Sequence, residues 1–491
     1  MKKIAVCGAG IGGLACAVIL SAKGYEVEIF EKNRTFGGKM SEYRRDGYRF
    51  DTGPSLITMP DVFKDFFREA GKKFEDYAEL TELDVSCRYF WSDCTVFNSY
   101  GKKERLSAEL TDVFGESEKD SFFRYLEYGK LFYELSKDNF LGSEFSIRNY
   151  LTMDGIKNLS KFISGRSMND LSNKFFRNGK LRQLMNRFAT YSGSTPYLNP
   201  QFFSIIPFVE YNFGSYYVKG GIYKIAESLV SLCQEFNVKF HYGYELEGIK
   251  SREDRIVALD FKTTAYGSIN TDNFDIIVSN FTNSRELVYK DYFENDDWSC
   301  SGFIMLLGVD FQSEDLSHHN VLFSENYENE FLDIFERKIP AEDMTVYISV
   351  SNKEEKIDAP PGCDNWFVLV NAPFLNDKFK WDEKTKKSYC SKILDRIDSF
   401  NLTDRGSIRD RIKFCEIFTP EDIRQKYNSE FGSIYGLSSN TLYTLLKRPK
   451  NKSERYSNLY FTGGNTHPGG GVPLCILSGK IVSDMIIKSS I

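Results

Sequence analysis

Lys3-Ile4-Ala5-Val6-Cys7-Gly8-Ala9-Gly10-Ile11-Gly12-Gly13 opens a pattern that Tyr25-Glu26-Val27-Glu28-Ile29-Phe30-Glu31 completes. The first five residues are a short β-rich run. The glycines after them open a segment of helical period from about Gly12 to Lys23, which Gly24 stops. Tyr25 to Phe30 then alternate as a second strand ending in Glu31. Strand, GxGxxG, helix, strand and acid, in that order, specify a dinucleotide-binding βαβ unit. Gly8 permits the tight turn, Gly10 lets the backbone approach a pyrophosphate, and Gly13 lets helix and strand pack closely. The pyrophosphate rests on free N–H groups at the helix start, where the dipole favours negative charge. Glu31, eighteen residues past Gly13, is placed to accept both ribose hydroxyls and to disfavour a 2′-phosphate.

At 491 residues the chain exceeds a single hydrophobic core, so two domains are expected. The 42 Phe and 29 Tyr read either as aromatic cores or as the wall of a long apolar channel. A net charge of −6 gives no reason to expect nucleic acid as a partner. Ten cysteines without a CxxC pair suit reduced structural thiols in a cytoplasmic protein. The four histidines (His241, His318, His319, His467) lack metal-ligand spacing, so no metal site is expected. Lys2-Lys3 before an apolar run resembles the start of a signal peptide, but no small-residue cleavage site fits. No run reaches the roughly 18 apolar residues of a spanning helix, so any membrane contact is expected to be peripheral.

Two further glycine clusters extend the nucleotide reading. Phe36-Gly37-Gly38-Lys39 follows the acid, and Phe50-Asp51-Thr52-Gly53-Pro54-Ser55 follows that. At the far end Asn458 to Gly464 reads as a strand ending in glycines. Asn465-Thr466-His467-Pro468-Gly469-Gly470-Gly471-Val472-Pro473 comes next, then a helix-period run from Leu474 to Ile487. Three glycines before a proline-initiated helix again present bare N–H groups to a ligand.

Gly37-Gly38 resembles the glycine doublet of a large flavoprotein superfamily that includes amine oxidases and carotenoid desaturases. Gly463 to Gly479 resembles the C-terminal signature of bacterial-type phytoene desaturases. The resemblance extends along nearly the whole chain, through Tyr217-Val218-Lys219-Gly220-Gly221-Ile222, His318 to Ser324, Asp358-Ala359-Pro360-Pro361-Gly362 and Phe418-Thr419-Pro420-Glu421-Asp422. It implies FAD as cofactor, with contacts at Gly8, Gly10, Gly12, Gly13, Glu31, Lys32, Gly38, Lys39, Ser55, Leu246, Gly464, Asn465 and Val472. The family often has Arg where Lys39 stands, which puts a bidentate contact there in doubt. Leu246 reads equally as an adenine support on the third strand of the nucleotide domain or as plain core. For activity the resemblance implies carotenoid desaturation: a hydride and a proton leave adjacent carbons, and the electrons pass on to a quinone, oxygen or another carrier. Arg182, on a helix resembling the family's substrate-tunnel helix, and Glu210, in an aromatic setting, are the candidates for an assisting acid or base, although ion pairs on helices are common and a structural role is the first reading of each. Ala189 to Tyr197 resembles a stretch of C40 hydroxycarotenoid 3,4-desaturases, while the N-terminal portion is similar to C30 dehydrosqualene desaturases, so substrate length stays open.

The expected fold is α/β: a Rossmann-like FAD-binding domain of amine-oxidase type with an inserted α+β substrate domain. The nucleotide domain is read as discontinuous, about 1–75, 215–290 and 445–491, with strands at Val238 to Tyr242, Asp275 to Ser279 and Leu459 to Thr462. The substrate domain is read as 76–214 and 291–444, with strands at Gly302 to Asp310, Thr345 to Val350 and Trp366 to Asn371. Residues 148–187 carry nine Lys/Arg against Asp154 and Asp170, with apolar residues at helical spacing (Leu171, Phe175, Leu181, Met185, Phe188). That pattern suits either an amphipathic face on an anionic membrane or a solvated basic face over a core. A lipid-soluble polyene partner favours the membrane. Three rivals remain: a flavin amine oxidase with Cys475 as covalent anchor, a carotenoid isomerase using reduced flavin, and a non-enzymatic lipid or prenyl carrier.

Overall fold

The computed structural model describes residues 2–137, 165–265, 267–281, 297–403, 406–441 and 447–489. A five-stranded parallel sheet holds the ends of the chain together. Its order is Leu459–Phe461, Ile276–Ser279, Lys3–Cys7, Glu26–Glu31 and Lys239–Tyr242. The first helix, Ile11–Ala22, is buried along ten of its twelve residues. It packs against the last helix, Val472–Lys488, and against Tyr223–Glu235. Its apolar composition all round suits an element covered on several sides rather than an amphipathic surface helix.

A seven-stranded mixed sheet forms the second layer, in the order Ile412–Phe418, Ser301–Val309, Asp364–Ala372, Val346–Ser349, His319–Leu322, Val85–Phe90 and Val96–Tyr100. Only His319–Leu322 and Val85–Phe90 run parallel; the other neighbours are antiparallel. All nine residues of Ser301–Val309 are buried, which accounts for their unbroken apolar run. Helices Lys103–Phe114, Glu116–Ser136, Met168–Phe175, Gly179–Arg187 and Ile205–Phe213 pack together beside this sheet. Tyr244–Arg252, Arg255–Thr263 and Gly267–Asp272 form a separate three-stranded antiparallel sheet.

Of the basic segment, Arg148, Asp154, Lys157 and Lys161 lie outside the described residues. In the described half, Leu171, Leu181, Met185 and Phe188 are buried in one core cluster. Phe175, partly buried, packs against the same cluster. Among the described residues no helix is long and apolar enough to cross a membrane.

The two layers are joined by a buried ion network. Arg49, 4% exposed, pairs with Glu42 at 3.0 Å, Asp51 at 2.7 Å and Asp358 at 3.2 Å. Asp51 also accepts from the backbone N–H groups of Ile222 and Tyr223, so it caps the helix Tyr223–Glu235 from across the fold. Gly221 (φ +92°) is required here: a Cβ on it would sit 1.7 Å from the Arg49 guanidinium. Two of the internal motifs thus meet at Arg49, the double-glycine turn and the Asp358-Ala-Pro-Pro-Gly turn. Burial raises the Asp358 carboxyl above its ordinary range while the Arg49 charge pulls it down. Arg49→Met leaves these carboxylates without their cation, a change expected to cost about 3–5 kcal/mol. A lowered thermal unfolding midpoint with unchanged expression is the outcome to look for.

Candidate functional site

The first helix begins at Gly10 with no side-chain cap and no acid in its first turn. Glu31, 6% exposed, lies beside it and accepts from the backbone N–H of Ala9 at 2.8 Å. The backbone and side-chain nitrogens of Asn33, both 2.9 Å away, hold its other oxygen. Gly37 docks on the same loop, its N–H donating to Ala9 at 2.8 Å, and a Cβ on Gly38 would stand 3.2 Å from the Gly10 Cα. Gly8, Gly10, Gly12, Gly13, Glu31 and Gly38 are therefore one cluster. The sequence reading missed its centre. Asn280, immediately after the strand Ile276–Ser279, places its amide where side chains at Gly10, Gly12 and Gly463 would go, at 2.3 to 2.9 Å from the missing Cβ atoms. A strand end aimed at the glycine loop was the available signal.

The last helix, Val472–Lys488, likewise starts uncapped, at Gly471 with Pro473 in its first turn. Its approach to the first helix is set by glycine: a Cβ on Gly479 would lie 2.7 Å from the Gly12 carbonyl and 2.8 Å from the Cys16 nitrogen. Gly464 and Asn465 join the strand to this helix, and the Gly464 carbonyl accepts from Arg448 at 3.4 Å. Arg448 was also missed; burial lowers its guanidinium to about 10.

Other expected contacts are placed differently. Lys32 points away from the loop, donating to the Gln425 carbonyl at 2.6 Å and to Asn428 at 2.5 Å. With Asn33, which reaches the Lys426 carbonyl, it docks the helix Pro420–Tyr427 over the acid. The Thr419-to-Asp422 motif starts that helix, with the Thr419 N–H and hydroxyl both donating to Asp422. Lys39 donates to the Ile434 carbonyl at 2.5 Å, and burial lowers its amine to about 8. Leu246 is not on the third strand of the nucleotide sheet. It belongs to the separate antiparallel sheet, opposite Phe261, in a small apolar cluster. The glycine at 243 (φ +78°) turns the chain out of the nucleotide sheet just before it.

A cavity of about 970 Å³ adjoins the second helix start. Ser55, Gly469–Leu474 with Val472 among them, Phe132, Phe203, Val321 and Phe367 are on its wall. Most of its exposed wall is apolar, although Arg187, Glu210, Arg448 and Lys450 are also on it. The Ser55 hydroxyl shares a 2.5 Å hydrogen bond with Tyr347, whose hydroxyl meets Nδ1 of His319 at 2.7 Å. Burial drives the His318 imidazole down to about 3, and burial with the neighbouring His318 and Arg187 charges lowers His319 as well, so both are neutral. Glu210, 4% exposed, is on the wall and accepts from the Tyr191 hydroxyl at 2.8 Å. Burial raises its carboxyl, and Arg187 opposes that rise.

Arg182 is not on this wall. It donates to Asn173 at 3.2 Å beside a polar surface recess. The arginine that reaches the cavity is Arg187, five residues on and about 140° round the same helix. Cys475 is not among the cavity-lining residues, and burial pushes its thiol up to about 11, which leaves little thiolate to anchor a cofactor. Gly479→Val is expected to separate the two helix starts by overpacking, at about 1–3 kcal/mol, read as a fall in unfolding temperature.

Comparison with known proteins places this geometry. A family model described as an NAD(P)-binding Rossmann-like domain matches residues 6–70. A 1-hydroxycarotenoid 3,4-desaturase of Flavobacterium sp. is 36% identical over 496 residues, covering 99% of each chain. A 4,4'-diapophytoene desaturase of Staphylococcus aureus is 32% identical over 519 residues, again 99% of each. A 4,4'-diapolycopene oxygenase of Methylomonas sp is 32% identical over 499 residues, 99% of this chain and 98% of that protein. Among solved structures, an oxidoreductase of Methanosarcina mazei aligns with a TM-score of 0.63 at 15% identity, over 98% of this chain and 100% of its own. Putrescine oxidase aligns at 0.62 and 11%, over 99% of each. Those two likenesses show the fold: a Rossmann-like nucleotide layer of amine-oxidase type with an additional mixed-sheet layer. The full-length relatives show the family, and the chain belongs to the carotenoid desaturase family of oxidoreductases.

Proposed function

We propose that this chain introduces carbon–carbon double bonds into a carotenoid or its acyclic polyene precursor in carotenoid biosynthesis, with FAD as cofactor. The observation that carries the reading is the mostly apolar cavity of about 970 Å³ that adjoins the glycine-rich start of the last helix. Apolar pockets with few placed polar groups suit an oily substrate. The residues present fit a flavin dinucleotide: two uncapped helix starts are brought together, and a buried carboxylate stands beside the first. Gly8, Gly10, Gly12 and Gly13 would hold the pyrophosphate, Glu31 the adenosine ribose, and Gly464, Asn465 and Val472 the ring end.

Each double bond takes a hydride and a proton from adjacent carbons, so the product is lighter by two hydrogens. When bound, FAD supplies the acceptor for that hydride, with a quinone, oxygen or another carrier taking the electrons onward. The protein's part is to hold an extended chain, exclude water and position the reacting carbons. Glu210 has its oxygen engaged by Tyr191 and a guanidinium beside it, so we give it no proton-transfer step. A lipid-soluble substrate implies pick-up at a membrane surface, without a spanning segment among the described residues.

Cells that make phytoene, dehydrosqualene or a hydroxylated C40 carotene, each given this chain, test the reading. A product lighter by two hydrogens per step, with a red-shifted spectrum, is expected in at least one strain. A gain of oxygen would favour an oxygenase, as the Methylomonas relative is named, and unchanged mass would favour an isomerase or carrier. Separately, Glu31→Gln is expected to weaken FAD retention about 10- to 100-fold, the worth of a hydrogen bond to a charged group. Flavin absorbance after gel filtration measures it.

A further inference from the structure

Each desaturation removes a proton as well as a hydride, so the cavity wall needs a group that takes the proton. Glu210 is the only carboxylate among the described residues of that wall, and Tyr191 and Arg187 already engage it. The wall offers another route, an unbroken line of hydrogen bonds from the cavity to an imidazole. The Ser55 and Tyr347 hydroxyls are 2.5 Å apart, and the Tyr347 hydroxyl meets Nδ1 of His319 at 2.7 Å. Ser55 and Tyr347 are partly buried wall residues, whereas His319 is 2% exposed. The imidazole thus stands behind two hydroxyls that the cavity can reach.

The fold fixes this line. His319–Leu322 and Val346–Ser349 are antiparallel neighbours in which Val321 stands opposite Tyr347 and Ser349 opposite His319. With a side-chain period of two, His319, Val321 and Tyr347 share one face of the sheet. That face is cavity wall, continued by Phe367 and Leu369 of the next strand. Ser55 comes to Tyr347 from the nucleotide side. Two residues before it, Gly53 packs so closely that a Cβ would stand 1.8 Å from the Lys39 carbonyl oxygen. Lys39 donates to the Ile434 carbonyl, and the ring of the next residue, Tyr435, would be 2.5 Å from a Cβ on Gly470. The hydroxyls therefore open towards the glycine-rich start of the last helix, where Gly464, Asn465 and Val472 would hold the ring end of FAD.

The chemistry suits a neutral acceptor. Loss of a hydride leaves a cation on the polyene, and the C–H beside that cation is strongly acidic, so a weak base is enough. Burial, with His318 and Arg187 nearby, holds the His319 imidazole below its ordinary range, which keeps it neutral and ready to accept. The same burial, and an Nε2 without a partner, make it a poor store for the proton. Release after turnover is thereby favoured.

We propose that Ser55 and Tyr347 relay the proton lost by the polyene to His319, each hydroxyl taking a proton on one side and giving one on the other. The electron pair of that C–H bond becomes the new double bond, and the hydride goes to FAD with its own pair. The proton ends on Nδ1, the resting imidazole proton being on Nε2, and returns along the same line when product leaves and water enters. This inference rests on the desaturase reading, and its test separates the two.

Flavin-loaded wild type, Tyr347→Phe and His319→Asn are mixed without oxygen with whichever of phytoene, dehydrosqualene and a hydroxylated C40 carotene the wild type converts. Tyr347→Phe keeps the ring but breaks the line. His319→Asn keeps an acceptor for Tyr347 that cannot hold the proton. Product formation in a single turnover is expected to slow about 10²- to 10⁴-fold in both, the usual worth of a positioned acid or base. Polyene affinity and flavin content are expected to stay at wild-type values. A wild-type rate in either variant, or a slower rate matched by lost affinity or lost flavin, makes the line a structural tie and overturns the relay alone. Tyr347→Phe conserves volume, so it decides the matter should His319→Asn fold poorly. A wild type that converts none of the three polyenes overturns the desaturase reading, and the relay with it.

Discussion

The structure depends on backbone meeting backbone where the two ends of the chain come together. Gly12, Gly463 and Gly479 place the first helix, the last strand and the last helix in contact without intervening side chains. Residues more than 450 positions apart thereby present two uncapped helix starts to one region. Asn280 fills the remaining gap, so the chain's middle is tied into the same contact. Overpacking at any of these positions acts on stability and on ligand geometry together.

Around this centre the second layer is fastened by polar contacts as well as by an apolar cluster in which Tyr48 and Phe50 meet Leu306, Phe367 and Phe414. Arg49 joins the hairpin Glu42–Asp51 to the turn at Gly221 and to Asp358 of the mixed-sheet layer. Lys32 and Asn33 join the nucleotide side to the helix Pro420–Tyr427. Ser55, Tyr347 and His319 make a third tie, across the cavity itself. Buried networks of this kind are demanding, since each missing partner leaves a desolvated charge or dipole. They also fix the geometry of the cavity wall.

Much of this was legible in the residues. The βαβ unit was, because glycine spacing and the acid are dictated by local backbone geometry; the first helix spans Ile11–Ala22 and the second strand ends at Glu31. The strands at 239–242, 276–279 and 459–461 were, from short β-rich runs at glycine boundaries. What escaped was direction. Helical period showed that 179–187 is a helix but not which face meets the cavity, so Arg182 was singled out where Arg187 is on the wall. Arg187 passed for part of a basic surface because the sequence does not show that three rings and a phenol–carboxylate pair surround it. Lys32 also docks a helix, and Leu246 follows a chain turn at Gly243 into the separate antiparallel sheet, packed in a cluster with Ala5, Cys7 and Phe30 of the nucleotide sheet. Contacts between residues hundreds of positions apart, such as Arg49 with Asp358, leave no local trace at all.

In the proposed desaturation a polyene bound in this cavity gives up a hydride to the cofactor. Mixing oxidised, flavin-loaded protein with the best-bound polyene under strict exclusion of oxygen tests it most directly. Loss of the oxidised flavin absorbance is expected, matched one for one by a product lighter by two hydrogens. An oxidised flavin spectrum that persists beside bound polyene, with conversion only after prior reduction or only when oxygen is admitted, would contradict it.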